Sequence, residues 1–462
     1  MKKEVIPKKT KLKNLKHKAR RLSIKEGIFW SIRASFGDYY VAPFAIAMQM
    51  TNSLVAILNS LWNLNPISQL WGSQLVGKHK RKNVLMKTIS VDAFGWFFMA
   101  LIGALYFLNI KRAILPYLLI IDFIFILVAG GMGHPSWFSW MGDLVDSKFR
   151  GRWFSKRNTI ISFTTIILAI SAALVLRYFE NRGQEILGFV ILFGIAFLAR
   201  AYCVRIIGKQ YEPKFKKTKS KKISLKKFIQ ESKKTNFGKF TLFRGIFALA
   251  VGITSPLTAI YLLRTLQFDY LTYIIIILSG TFFSIITLNL WGRIADKYGN
   301  YRVIAITTLI IPLTPLLWIL SPHKIYLFLV PAILGGTAWT AFIMASGNFI
   351  YDNIQKRNLG NAISYFNLFI GIGAFTGGII GAILIKTIQT TWIEPIFLIF
   401  LIGTILRMIV VGISIPKLKE IKKKKKFKDL QDFEKIILKE AKPTLLEDMH
   451  QIVAIKDYIA EK

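Results

Sequence analysis

Asp38, Asp92 and Asp122 lie within long apolar stretches of the chain, and Arg33, Arg200 and Arg244 stand nearer the ends of such stretches. An ionised side chain at the centre of a bilayer costs about 2.5–3.5 kcal/mol on insertion scales. Charges kept at such positions therefore do work on a solute or a proton, or belong to a buried pair. Asp38 lies about 15 Å along its helix at a rise of 1.5 Å per residue, and Asp92 and Asp122 fall at similar depth. Each aspartate is a candidate proton carrier. For the arginines nearer the helix ends, Arg33 and Arg200, the long side chain is expected to reach up to water.

The elements that must hold these groups follow from composition. The chain has 462 residues, 53% of them hydrophobic, in recurrent runs of about 20 residues, the length that spans a hydrocarbon core as a helix. The net charge of +39 is gathered in the tails and between the apolar runs. That fits the positive-inside pattern rather than nucleic-acid binding. One cysteine, Cys203, excludes an internal disulfide. The first 27 residues lack the apolar core of a secretory signal. No phosphate-binding loop, metal-ligand spacing or nucleophile triad occurs, and the five histidines are scattered. The expectation is therefore no enzyme, no cofactor and no metal.

Twelve crossings are expected, near 28–50, 53–76, 84–108, 113–141, 155–177, 185–207, 238–263, 268–291, 302–320, 325–350, 361–385 and 391–413. An even count puts both ends on one side. The basic loops "GKHKRKN", "DSKFRGRWFSKRN", "GRIADKYGNYR" and "NIQKRN" make that side the cytoplasm. The expected domains are a basic N-tail at 1–27, a six-helix bundle at 28–207 and a basic linker at 208–237. A second bundle at 238–413 and a C-tail at 414–462 follow. The linker carries Ile223, Leu225, Phe228 and Ile229 among lysines, which suits either a helix on lipid headgroups or a solvated connector. The tail has Phe427, Leu430, Phe433 and Ile437 at helical spacing, then Pro443, then Leu446, Met449, Val453 and Ile459. It reads as two amphipathic helices. The lysine run at 422–426 favours anionic lipid.

The chain repeats itself. "LWGSQLVGKHKRKNV" at 70–84 matches "LWGRIADKYGNYRV" at 290–303, and "WMGDLVDSKFRGRWFSKRN" at 140–158 matches "FIYDNIQKRNLGNAISYFN" at 349–367 without a gap. Asp143 thus falls on Asp352. Two matching loops in the right order mark an internal duplication. The pattern Gly292-x3-Asp296-x2-Gly299, with Arg293, Lys297 and Arg302 around it, resembles the signature of the major facilitator superfamily. The resemblance covers about residues 28–415, and several stretches look like a group of prokaryotic members, a likeness from which no substrate follows.

The resemblance implies an all-α membrane protein of twelve transmembrane helices in two pseudosymmetric six-helix bundles. It also implies a secondary transporter working by alternating access, with solute bound at the midplane between the bundles. The signature loop would act as a cytoplasmic gate. Gly292 lets helix ends approach closely, and Asp296 meets the positive start of a neighbouring helix, near Trp153 to Lys156, for about 0.3–1 kcal/mol. Gly299 permits the turn, and Arg293 and Arg302 anchor the loop. The first-half copy keeps Gly72 but has Val76 for the acid and His79 for the second glycine. A weaker clasp and a shift toward inward-facing states are expected. Asp143 and Arg150 resemble the family's acid–arginine pair beyond the fourth helix.

Because first, fourth and seventh helices line the cavity in this family, Asp38, Asp122 and Arg244 are assigned to the substrate or proton pathway. Arg244 is a candidate to pair with an acid across the halves. Tyr39, Tyr40, Thr254, Ser255, Thr258, Trp339 and Thr340 join them by helix position. Asp92, on a third helix, is expected to make a structural hydrogen bond. Asn52, Asn59 and Asn63 share one face of the second helix and are expected to bond across to the glycine-rich eleventh. Pro43 and Pro256 should loosen the first and seventh helices. The fifth helix lacks the Gly-Pro cluster of the family's drug antiporters, and sugar-porter phrases are missing. Expected partners are a small-molecule substrate, membrane lipids (anionic ones included) and a coupling proton. No nucleic acid is expected, and the chain reads as a monomer. The reading from another class is a non-transporting membrane receptor or scaffold on the same fold.

Overall fold

The computed structural model describes residues 8–76, 78–146, 149–213, 225–355 and 359–421. The amphipathic helices expected in the C-tail lie outside the described residues, as does Ile223 of the linker.

The described chain is helical almost throughout, and no helix pairs into a sheet. The first crossing is α1 (Lys8–Phe36), a 3-10 turn at Asp38–Tyr40 and α2 (Val41–Ala47). Its helix thus begins well inside the segment read as a basic tail. The second is α3 (Asn52–Ser60) and α4 (Asn65–Leu75). Four unbroken crossings follow: α5 (Arg81–Phe107), α6 (Leu115–Leu144), α7 (Arg150–Glu180) and α8 (Glu185–Gly208). The linker contains α9 (Leu225–Ser232). The seventh crossing is α10 (Asn236–Thr254) and α11 (Thr258–Ile260), interrupted at Pro256. Then come α12 (Tyr270–Tyr298), α13 (Asn300–Ile310) with α14 (Thr314–Ile319), and α15 (Lys324–Pro331) with α16 (Thr337–Asn353). Helices α17 (Leu359–Thr387) and α18 (Pro395–Ser414) complete the twelve crossings. Among the described residues, ten of these spans are long and apolar enough to cross a membrane. The first two crossings are each divided by a short 3-10 turn.

Two compact units emerge. One comprises 1–219 with 255–274 and 374–387, the other 220–254 with 275–373 and 388–462. In the first, α5 packs between α6 and α8, and α1 lies on α7 and α8. In the second, α10 packs on α18 and α13 on α16. Large apolar side chains such as Phe94, Phe98, Phe125 and Leu198 are exposed on the first unit, and Leu309 and Ile343 on the second. A water-soluble fold would bury such side chains, whereas lipid solvates them. The linker helix is held by Phe228, whose ring meets Phe237, Tyr365 and Phe369 of the second unit.

Candidate functional site

In the first unit, the mid-helix charges form one alternating chain. Helix α1 closes at Gly37, where an added Cβ would run into Trp96. The 3-10 turn that follows brings Asp38 back over Arg33. Arg33 Nη1 donates to Asp38 Oδ2 at 2.6 Å and Nη2 to Asp92 Oδ1 at 3.2 Å. Asp92 Oδ1 also accepts from Trp96 Nε1 at 3.1 Å, and its Oδ2 accepts from Arg200 Nε at 2.5 Å. Arg200 then lies 3.8 Å from Glu26, and Arg157 lies 3.2 Å from the other Glu26 oxygen. Asp38, Arg33, Asp92, Arg200, Glu26 and Arg157 thus alternate in sign and sum to zero. A lone buried charge costs several kcal/mol, and alternation offsets that cost. Arg33 and Arg200 are both 6% exposed. They turn inward to carboxylates instead of reaching to water, because the acids on α1 and α5 are within reach. Glu26 and Arg157 were missed from sequence because Glu26 falls just outside the crossing expected at 28–50 and Arg157 at the start of the one expected at 155–177, where charge is unremarkable.

Beside this chain lies a cavity of about 460 Å³, lined by Glu26, Trp30, His134, Trp137, Arg157 and Arg200 among others.

The two acids assigned to the pathway part company. Asp38 is paired with Arg33. Asp122 is half-buried, rests against Gly95 of α5, and has a buried oxygen with no hydrogen-bond partner. Tyr40 is fully buried and donates to the Ala169 carbonyl at 2.6 Å, joining the first and fifth crossings. Tyr39 and Thr258 are half-buried and Ser255 is exposed. Asn59 donates to the Pro256 carbonyl at 2.9 Å, and Asn52 accepts from Arg264 at 2.5 Å. These asparagines therefore bond to the seventh crossing, Asn59 at its interruption and Asn52 at Arg264, and not to the eleventh. The eleventh contributes Gly378, whose hydrogen lies against Ser60. Asn63 bonds within its own crossing.

In the second unit, Arg244 and Trp339 converge on Phe342. The guanidinium lies 4.3 Å from the Phe342 ring centre, and the Trp339 and Phe342 rings are 5.8 Å apart. Thr254 accepts a hydrogen bond from Arg407, and Thr340 shares one with Ser284.

The loop residues build a matched device in each half. Arg81, 1% exposed, places Nη1 2.6 Å from Asp143 Oδ2, and the Arg81 and Lys82 backbone amides donate to Glu212. The repeat register puts Asn300 on Arg81 and Tyr301 on Lys82. Asn300 Nδ2 donates to Asp352 at 2.7 Å, and the Tyr301 amide donates to Glu420 at 3.0 Å. In each half, then, acids from the end of one helix and from beyond the last helix meet the positive start of the third helix. Glu212 and Glu420 were legible only as single acids in lysine-rich segments. Asp143 is thus joined to Arg81, while Arg150 donates to the carbonyls of Gly142 and Val145 that end α6. Close helix approach occurs at Gly72, where a Cβ would meet the Met132 backbone. Gly292 has room, its nearest neighbour being Met344 Sδ at 3.9 Å. Gly299 has φ 99°, which only glycine adopts easily. Asp296 is exposed, Arg293 is half-buried, and Arg302 donates to the Tyr298 carbonyl at 2.8 Å.

Twelve crossings in two related halves, with charges buried at mid-helix and matched loop devices, define a multi-pass membrane transporter. The family model described as Major Facilitator Superfamily matches residues 28–311 and 240–446, and the chain belongs to that superfamily. No curated protein matches it. Among solved structures, the chain is similar to a variant of the nucleoside transporter NupG, at TM-score 0.65 and 15% identity over 88% of this chain and 100% of that one. It is also similar to a bacterial homologue of the iron transporter ferroportin in its inward-facing state, at TM-score 0.63 and 14% identity over 86% and 98%. FucP in its outward conformation gives TM-score 0.54 and 15% identity over 87% and 98%. At these identities the likeness is one of fold.

Proposed function

We propose that the protein carries a small solute across the cell membrane by alternating access, with both termini cytoplasmic, and that Asp122 couples this movement to protons. One observation carries the coupling. Asp122 is, among the described residues, the mid-helix acid with an unpartnered buried oxygen and no ion pair; Asp38 also leaves one oxygen unpartnered, but Arg33 holds its other, and Asp92 is held by two arginines. A carboxyl group with no cation beside it is cheaply accommodated only when protonated. It therefore suits uptake and release of a proton. The loop at Gly292 to Arg302, with Gly72, Asp143 and Arg150 in the first half, supplies the cytoplasmic gate.

The test uses proteoliposomes loaded with a pH-sensitive dye and offered a small-molecule cell extract. The wild-type protein should acidify or alkalinise the lumen as solute moves, and Asp122→Asn should exchange solute without moving protons. Unaltered proton movement in Asp122→Asn overturns the assignment.

A further inference from the structure

Arg244 has a twin. Gly27, Phe29 and Arg33 of the first crossing align without a gap on Gly238, Phe240 and Arg244 of the seventh. Carried through the rest of the repeat, the same registers replace nearly every other member of the charge chain. Glu26 becomes Phe237, Asp38 becomes Leu249, and Asp92 becomes Ile311. Arg157 becomes Phe366, while the sixth helix of the second half keeps a buried arginine of its own, Arg407. None of the three acids survives. Exchange of a buried ion network for packed apolar side chains is commonly neutral or stabilising. Packing alone therefore gives no reason to keep Arg244.

Arg244 is 8% exposed, and its Nε is buried with no hydrogen-bond partner. Among the described residues it forms no ion pair. Rings alone hold it, Phe342 at 4.3 Å and Phe366 at 5.8 Å. The contrast with Arg407 of the same unit is direct. Arg407 also lacks a carboxylate, but it donates to Thr254, to Thr314 at 3.1 Å and to the Val251 carbonyl at 3.2 Å. The fold thus gives the terminal nitrogens of one buried arginine neutral acceptors, its Nε alone being unpartnered, and leaves the other stacked and unanswered. A stacked guanidinium keeps its planar fork free for a two-oxygen anion, the geometry that carboxylates and phosphates present.

We propose that Arg244 binds the carried solute through an oxyanion, so that the substrate is a small carboxylate or phosphate monoester. The inference rests on the carrier reading above and gives it a substrate class.

The experiment uses the full-length protein in lipid nanodiscs. A small-molecule cell extract is separated by ion exchange into anionic, neutral and cationic fractions, and the thermal midpoint is followed, since a ligand stabilises the state it binds. The anionic fraction alone should raise the midpoint. Arg244→Gln should weaken that response at least about tenfold, as expected when one partner of a buried charged contact is removed. Benzoate and inorganic phosphate, run as separate probes, distinguish the two oxyanions. Ala248→Asp places a carboxylate one helical turn from Arg244. It should raise the midpoint without ligand and abolish the response to anions, and it decides the matter if Arg244→Gln does not fold. Stabilisation by the neutral or cationic fraction, or an undiminished response in both variants, overturns the oxyanion assignment and leaves the carrier standing. If no fraction stabilises the protein or enters vesicles, the carrier reading falls and the substrate class with it.

Discussion

Arg81 and Asp143 meet at 2.6 Å where the third crossing begins, and the repeat places Asn300 and Asp352 in the same relation at 2.7 Å in the second half. The second pair is the weaker one. Asn300 keeps a buried oxygen without a partner. Asn300→Arg should therefore stabilise the protein by about 1 kcal/mol, by removing the orphan and adding a charged partner for Asp352. Asp143→Asn should cost no more than about 1 kcal/mol, because that side chain is 44% exposed and water screens the pair. Thermal unfolding of both variants checks the contrast, and equal and large losses would contradict it.

Asp92 binds two arginines from a side chain that is 1% exposed. Asp92→Asn should destabilise by about 3–5 kcal/mol, since removal of one partner strands the opposite charge. The double replacement Asp92→Leu with Arg200→Met should lose less than the sum of its parts. A double-mutant cycle on unfolding midpoints measures that coupling, and simple additivity would contradict the network.

Gly72 and Gly292 occupy the same place in the repeat but not the same space. A methyl group at 72 meets the Met132 backbone, whereas one at 292 has only Met344 Sδ at 3.9 Å. Gly72→Ala should cost about 1–3 kcal/mol through overpacking, and Gly292→Ala should be tolerated. The reverse ranking in a stability assay would refute the packing geometry.

Gly299 starts α13 at φ 99°. Gly299→Ala should lower stability by about 1 kcal/mol or more, because L side chains are strained there. A substitution without effect would show that the turn relaxes freely.

Much of this fold is legible in the residues. Apolar runs mark the crossings because a lipid-spanning helix must be long and greasy. The repeat is readable because its loops keep their spacing. The site is less so. That Asp38 pairs with Arg33 depends on a helix ending at Gly37, and periodicity does not report where a helix turns back. That Asp143 joins Arg81 and not Arg150 depends on how α5 packs on α6, and seven residues of separation along one chain give no hint of it. The partner of Asn59 on the seventh crossing likewise lies at a helix break, at Pro256. Composition hints at that break, but only geometry sets the Pro256 carbonyl against Asn59.

The alternation of charge from Asp38 to Arg157 has an electrical meaning. A transmembrane voltage does about 2.3 kcal/mol of work per elementary charge per 100 mV. A cluster that sums to zero feels almost no net force as its helices tilt, whatever the polarity of the cell. Asp122 stands outside that neutrality, charged when ionised and neutral when protonated. The membrane potential would then act on Asp122 and on Arg244 and Arg407, which no carboxylate among the described residues offsets, and the six-charge chain beside them would be electrically silent.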